Sequence, residues 1–128
     1  MSERGSASLA LLGVLGLVLV LAVGLAAVGG VLRARVEVST AADAAALAAA
    51  PVTFLPFGAE GTPVDEAARF ARLNGSRVVS CVCPLDPSWK PRTVEVRTVR
   101  TVEIWPLGRF TVEGVGRAEF VPALLLGP

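Results

Sequence analysis

An apolar stretch near the N-terminus, Gly5 to Leu32, constrains this chain more than any other feature. Its 28 residues include no charged side chain, and Arg33 follows it directly. About 20 apolar residues suffice for a helix to cross a hydrocarbon layer of about 30 Å. At a rise of about 1.5 Å per residue, residues 9–32 extend over roughly 36 Å and can cross with some tilt. The stretch predicts a transmembrane helix at residues 9–32 after a short head at residues 1–8.

The apolar stretch can be interpreted as a retained membrane anchor or as a signal peptide that is cleaved off. A cleavable signal peptide also has a charged head, but its apolar region usually has about 7–15 residues. The much longer run here favours a retained, single-pass anchor. Arginines flank the stretch on both sides, with Arg4 before it and Arg33 and Arg35 after it. The distribution of positive charge therefore leaves the orientation in the membrane open.

Small residues recur every four positions within the second half of the predicted span. Ala22, Ala26 and Gly30 share one helix face. Small side chains at this spacing let a second membrane helix approach closely. Alanine and glycine are also common throughout the chain, so composition alone accounts for the same pattern. We treat these three residues as a candidate helix-packing face.

The helix is expected to continue beyond the membrane. Residues 33–50 are rich in alanine, the best helix former, and Pro51 is the first residue that breaks the run. Val38, Ala42, Ala45 and Ala49 fall on one stripe at spacings of three and four. The sequence therefore predicts one helix of about forty residues, half in lipid and half laid on a small folded module.

Residues 51–128 are predicted to form a small α+β ectodomain. A short helix is expected after Thr62, which can cap it together with Asp65, and Gly75 supplies a stop after Asn74. Alternating apolar residues then predict an antiparallel meander of about three strands with one face covered by the helices, in the pilin-like arrangement. The predicted strands are Arg77–Cys83, Arg92–Trp105 and Phe110–Val121, with a proline-rich loop from Pro84 to Pro91.

The strand pattern also predicts which faces are covered. In the second strand Val99 falls out of phase with its apolar neighbours, which predicts a bulge or twist near Thr98. In the third strand Thr111, Glu113, Arg117 and Glu119 are expected to face solvent. The residues predicted to share the covered faces are Val94, Val96, Val102 and Ile104 in the second strand and Phe110, Val112, Ala118 and Phe120 in the third.

Composition excludes most catalytic chemistry. The chain has no histidine, and its 12 basic and 11 acidic residues are interspersed, so neither a metal site nor nucleic-acid binding is predicted. Cys81 and Cys83 point to one face of an extended strand, where they can be buried thiols, pair with each other, or pair with a partner chain. Two cysteines at this spacing are too few for structural zinc. We predict a non-enzymatic protein without cofactor or small-molecule substrate.

Two segments resemble a known family. Arg4-Gly5-Ser6-Ala7 before the apolar helix, and the run STAADAAALAAA from Ser39 to Ala50, are similar to TadE/TadG-like proteins of tight-adherence (Flp, type IVc) pilus systems. The short actinobacterial TadE-like proteins encoded in secretion gene neighbourhoods are the most similar in length. They too have Asn-Gly followed after five residues by Cys, here Asn74 to Cys81, and a strand-rich tail.

The resemblance implies a minor pilin-like or assembly protein in the cytoplasmic (inner) membrane, with its N-terminus in the cytoplasm and residues 51–128 outside. Its implied partners are other TadE/TadG-like or pilin subunits and the polytopic platform proteins of the pilus or secretion system. Pseudopilins of this group are cut after a glycine that is followed five residues later by glutamate. Gly5 matches the glycine, but Ala10 replaces the glutamate, which argues against processing at Gly5 and for an uncleaved accessory protein.

A second interpretation comes from a different class of protein. The chain could be an anchored or secreted binding module with no pilus role. Its ligand would then lie near the aromatic residues Phe54, Phe57 and Trp89.

Overall fold

One long helix dominates the structure. The computed structural model describes residues 3–57 and 60–127. Helix α1 runs from Glu3 to Val52, a length of 50 residues, and exceeds the predicted forty because it already includes most of the N-terminal head. Pro51 lies in its last turn, and a 3₁₀ turn at Leu55–Phe57 follows. Helix α1 is therefore continuous from the apolar stretch into the folded module, as the sequence predicts.

The second helix, α2, extends over Pro63–Leu73 and has the predicted signals at both ends. The Thr62 hydroxyl accepts a hydrogen bond from the Asp65 amide at 3.1 Å, and the Asp65 carboxylate accepts one from the Thr62 amide at 3.3 Å. This reciprocal pair is a capping box. After the helix, Gly75 adopts a φ of 71°, a left-handed conformation that favours glycine.

Three antiparallel strands form a meander in the order β1–β2–β3. Their bounds are Arg77–Val82 for β1, Arg92–Ile104 for β2 and Gly108–Phe120 for β3. The β2–β3 register is unbroken along the whole of both strands. The α+β prediction is confirmed, and each strand end lies within two residues of its expected position. A 3₁₀ turn at Pro122–Leu126 was not predicted.

The irregularity expected near Thr98 exists, but it lies on the other strand. Val78 pairs with Thr98 and Ser80 pairs with Arg97, so the extra residue is Val79 of β1. The prediction of a bulge in β2 is wrong, because the inward alternation of β2 continues through Thr98, which is fully buried. Its hydroxyl donates a hydrogen bond to the Val38 carbonyl oxygen at 3.1 Å, so a polar side chain takes a core position in phase with the apolar ones.

Helix α1 and helix α2 cover the same face of the sheet. The predicted stripe of Val38, Ala42, Ala45 and Ala49 is fully buried. Opposite it, β3 carries glycine at two inward positions, Gly114 and Gly116. A Cβ at residue 114 would stand 2.5 Å from the Val38 carbonyl oxygen, and one at residue 116 would overlap the Ala42 carbonyl group. The core is formed mainly by alanine and valine: Ala45, Ala46, Ala49, Ala50, Ala67, Ala71, Val94, Val96 and Ala118.

Arg92 fastens the proline-rich loop to the end of α1. Its side chain is buried, and its guanidinium donates to the carbonyl oxygens of Thr53, Asp86, Ser88 and Lys90. Four backbone acceptors compensate the buried charge without a carboxylate in direct contact. These hydrogen bonds hold the loop to the end of α1, although the loop contains no strand or helix.

Candidate membrane and partner interface

The N-terminal half of α1 is almost entirely uncovered by the other residues that the structure describes. Between Gly5 and Ala26 every side chain is exposed except Val23, which is half-buried. Apolar side chains dominate the surface of this segment, which we call the apolar half of α1 (residues 5–26). Of the part of the chain that the structure describes, α1 is the one helix long and apolar enough to cross a membrane. The core helix of a water-soluble protein would instead be buried by its own fold.

The folded module begins within the uncharged stretch. Ala27 is the first fully covered residue of α1. Three residues later, a Cβ at Gly30 would stand 3.3 Å from the Ile104 Cγ2 atom, so the end of β2 lies directly on the helix backbone. Because Leu32 is the last residue before Arg33, this contact lies at the level of the last apolar turn.

The candidate helix-packing face is thereby divided into two parts. Ala22 and Ala26 are exposed. Gly30, in contrast, is in contact with Ile104 of the same chain. Close approach does occur at this face, but at Gly30 the neighbour is a strand of the same molecule. Only Ala22 and Ala26 remain open to another helix.

The turn between β2 and β3 forms a projecting apolar surface beside this contact. We call residues 105–107 the hairpin tip. Trp105 is 77% exposed and Leu107 is 55% exposed, on either side of Pro106. Beside the tip, a groove of about 540 Å³ separates α1 from the hairpin, and its lining includes Val31, Ile104 and Leu107. Trp105 was predicted to end a strand, and its exposure was not predicted.

Charged residues begin directly after the apolar stretch and connect α1 to the sheet. The Glu37 carboxylate pairs with Arg33 at 2.8 Å on the same helix and with Arg100 of β2, also at 2.8 Å. The hydrogen bond from Arg33, with the positive charge of Arg100 and Arg33 beside it, holds the pKa of Glu37 below its ordinary value. The same bond raises the pKa of Arg33. These pairs mark the boundary between the apolar and polar surfaces of α1.

The outward face of the sheet is a charged surface, as its alternation predicts. Glu95 pairs with Arg117 across the β2–β3 ladder at 2.8 Å and with Arg97 at 3.3 Å. The hydrogen bond from Arg117 is the main reason that the pKa of Glu95 is lowered. Exposed pairs of this kind contribute little to stability and keep the face solvated.

The structure joins Cys81, near the end of β1, to Cys83, the residue directly after β1, by a disulfide. Both residues are half-buried and pack against the core cluster. Neither cysteine adjoins a metal-binding set: within residues 3–57 and 60–127, no group of three or more cysteine or acidic side chains is arranged to hold an ion.

The remaining candidate residues lie in separate places. Gly5 and Ala10 are both exposed in the apolar half of α1, within one helical segment. At the opposite end of α1, Phe54 is buried and its ring meets Trp89 edge-on at 5.0 Å, whereas Phe57 is half exposed. Phe54 is therefore part of the core and offers no surface to a ligand.

The close approach at the two glycines of β3 was not predicted, although the sequence contains a signal for it. Gly114 and Gly116 are two residues apart, so they share the inward face of the strand that contains Val112 and Ala118. An alanine-lined helix needs a partner surface that it can approach closely, and two glycines on the covered face provide one. Arg92 carried no such signal, because an arginine at the start of a strand usually reaches solvent.

These observations define a class of protein: a single apolar helix, uncovered over its first half, that continues into a small α+β module packed on its second half. Residues 5–51 match the Tad family model, the Flp pilus-assembly TadE/G-like family, so the resemblance stated from the sequence is confirmed for this segment. No curated protein and no solved structure matches the chain. The family match and the candidate membrane helix together indicate a pilus-related membrane protein.

Proposed function

We propose that the chain is a non-enzymatic, single-pass membrane protein of a tight-adherence (Flp, type IVc) pilus or a related secretion system, acting as a minor pilin-like or assembly subunit. One observation carries the proposal. The 50-residue helix α1 lies almost entirely within the family match, and its first half is apolar and uncovered while its second half is the spine of a folded module. In this proposal the first half of the helix contacts lipid, and the second half packs against the folded module of the same chain.

The proposed location is the cytoplasmic membrane, with the N-terminus in the cytoplasm and residues 51–128 outside. A disulfide between Cys81 and Cys83 is compatible with an oxidising compartment. A reporter test can decide the orientation. Alkaline phosphatase, which is active only outside the cytoplasm, is fused after Pro128, and a cytoplasm-active reporter is fused in parallel. High phosphatase activity is expected; activity of the second reporter alone would reverse the orientation.

The proposed partners are other pilin-like subunits and polytopic platform proteins, contacted through the apolar half of α1. Ala22 and Ala26 are the open small residues there, and a larger side chain would keep a partner helix at a distance. Ala26→Leu is the test variant. Val28→Leu is the matched control, because Val28 is a lipid-exposed position two residues away whose side chain is already large.

Gene deletion with complementation tests the function itself. Deletion should abolish surface fibres or the secretion of products encoded nearby, and the full chain should restore them. Val28→Leu should restore them too, whereas Ala26→Leu should reach the membrane in normal amounts and fail to restore them. Normal fibres and normal secretion after deletion would count against any pilus role. Full restoration by Ala26→Leu would remove the helix-packing part of the proposal.

A further inference from the structure

The hairpin tip lies at the level of the apolar end of the membrane helix. Ile104, the residue before Trp105, is in contact with Gly30, and two further uncharged residues follow Gly30 before the first charge at Arg33. Two residues at a rise of about 1.5 Å place this contact roughly 3 Å on the apolar side of Leu32. Residues 105–107 project from the end of β2 at this same level.

The chemistry of the hairpin tip fits a membrane surface. Trp105 and Leu107 are large, apolar and more than half exposed. Tryptophan is enriched at membrane–water interfaces, because its ring is apolar while its N–H can donate to a polar partner. Behind the tip the strands become charged at once, with Glu103 and Arg109 paired in register. An apolar apex with charges two residues behind it has the polarity profile of the boundary between acyl chains and headgroups.

Arginines also lie on α1 near the boundary between its apolar and polar surfaces. Arg33 has an 82% exposed side chain, and Arg35 lines the groove between α1 and the hairpin. Long basic side chains near a membrane helix reach outward to the headgroups. Arg109, two residues after Leu107, adds a third arginine on the hairpin side of this boundary.

We propose that the hairpin tip is a second membrane contact: Trp105 and Leu107 insert into the interface of the leaflet next to the folded module, and the neighbouring arginines contact phosphate headgroups. The inference rests on the proposed membrane anchoring of α1. Its consequence is mechanical, because a module held by a helix alone can rotate and tilt, whereas two contacts fix one orientation relative to the bilayer. The β2–β3 face and the Ala22–Ala26 face would then be presented to partners in a constant direction.

The two tryptophans of the chain provide an internal control. Trp89 packs on Phe54, beyond the end of α1 at Val52. Residues 30–52 of a helix extend over roughly 33 Å, so Trp89 lies at the end of the module far from the hairpin tip. Trp89→Phe leaves Trp105 as the sole tryptophan, and Trp105→Phe leaves Trp89. Both substitutions keep an aromatic ring at the position.

The experiment uses the full chain reconstituted in vesicles of phosphatidylcholine and phosphatidylglycerol that contain lipids brominated at a shallow or a deep acyl position. Trp105 fluorescence should shift to shorter wavelength on reconstitution. Brominated lipid should quench it at least about twofold more strongly than it quenches Trp89 fluorescence, and the shallow bromines should quench it most. In the Trp89→Phe background, Leu107→Asp should reduce this quenching, because a charge in the interface opposes insertion. Leu124→Asp, at an exposed leucine after β3, should leave it unchanged.

Each alternative outcome has a definite meaning. Weak and equal quenching of both tryptophans in a chain that floats with the vesicles would overturn the hairpin contact and leave the anchored helix intact. A wavelength shift of Trp105 without quenching by brominated lipid would show that another protein surface, such as a second copy, covers the tip. A chain that fails to float with the vesicles would overturn the membrane anchoring and the hairpin contact together.

Discussion

Gly116 of β3 lies directly against the carbonyl group of Ala42 in α1, so that even a single methyl group at residue 116 has no room. Two residues earlier, Gly114 has the same relationship to Val38. The strand backbone and the helix backbone therefore touch without side chains between them. This close approach is how an alanine-lined helix, which contributes little apolar area per residue, still forms a tightly packed core.

Gly116→Ala should lower the free energy of unfolding by about 2–3 kcal/mol, because the strand and helix backbones must separate to admit the Cβ. For a module of this size the Tm should fall by on the order of 10 °C. Thermal unfolding of the full chain in detergent, followed by near-ultraviolet circular dichroism, measures the change. Gly29→Ala is the control, since nothing lies within 4 Å of a Cβ there. Equal Tm values for the two variants would contradict the proposed packing.

Thr98→Val should lower the free energy of unfolding by about 1 kcal/mol. The substitution keeps the volume of the buried side chain and removes only the hydroxyl that donates to the Val38 carbonyl oxygen at 3.1 Å. Thr101→Val, at an exposed position of the same strand, should change stability by less than about 0.5 kcal/mol. Chemical denaturation of both variants tests the difference. A stability gain in Thr98→Val would mean that the apolar contact outweighs the hydrogen bond.

Arg92→Lys should destabilise the proline-rich loop and the end of α1. A lysine ammonium has three donors on a flexible stem, so it cannot satisfy the four carbonyl groups that the planar guanidinium reaches. We expect a loss of about 2 kcal/mol and faster chymotrypsin cleavage after Trp89. Arg97→Lys, on the solvated face of the sheet, should leave the cleavage rate unchanged. Identical cleavage rates in the two variants would show that Arg92 does not hold the loop.

The stability of the module should fall in acid. The pKa values of Glu37, Glu66, Asp86 and Glu95 are all lowered, mainly by hydrogen bonds from Arg33, Arg69, Ser88 and Arg117 respectively. A carboxyl group with a lowered folded-state pKa adds stability above its unfolded-state pKa and loses it as the pH falls through the folded-state value. The Tm should therefore decline between about pH 5 and about pH 3.

Glu37→Gln tests one component of this acid dependence. Removing the carboxylate that links Arg33 to Arg100 should flatten the decline of Tm with falling pH. Glu119→Gln removes one carboxylate from the opposite face of the sheet and is the control with the same charge change. Because the Arg33 side chain is exposed and those of Glu37 and Arg100 are only half-buried, salt should also reduce the effect of Glu37→Gln at neutral pH. If Tm declines with falling pH as steeply in Glu37→Gln as in the unsubstituted chain, this ion pair does not contribute to stability.

The parts of the fold that depend on residues close together in the sequence were predictable. Pattern and capping residues placed α2 between Thr62 and Asn74, and alternation placed each strand within two residues of its observed ends. The apolar length predicted the uncovered, apolar half of α1, which is the candidate membrane span. In contrast, the bulge near Thr98 was assigned to the wrong strand. A register shift is a property of two strands together, and the out-of-phase Val99 did not indicate that Val79 of β1 is the extra residue.

The sequence by itself determined that a long helix with an uncharged first half precedes a small α+β module, because helix propensity, apolar length and alternation act over short distances along the chain. Only the tertiary structure decided which face of that helix is still open. It placed Ile104 on Gly30 and left Ala22 and Ala26 uncovered. It also brought Trp105 level with the end of the apolar stretch, over seventy positions away in sequence. Such placements depend on how far β2 extends along α1 and on where the sheet contacts the helix, which it does most closely at Gly114 and Gly116.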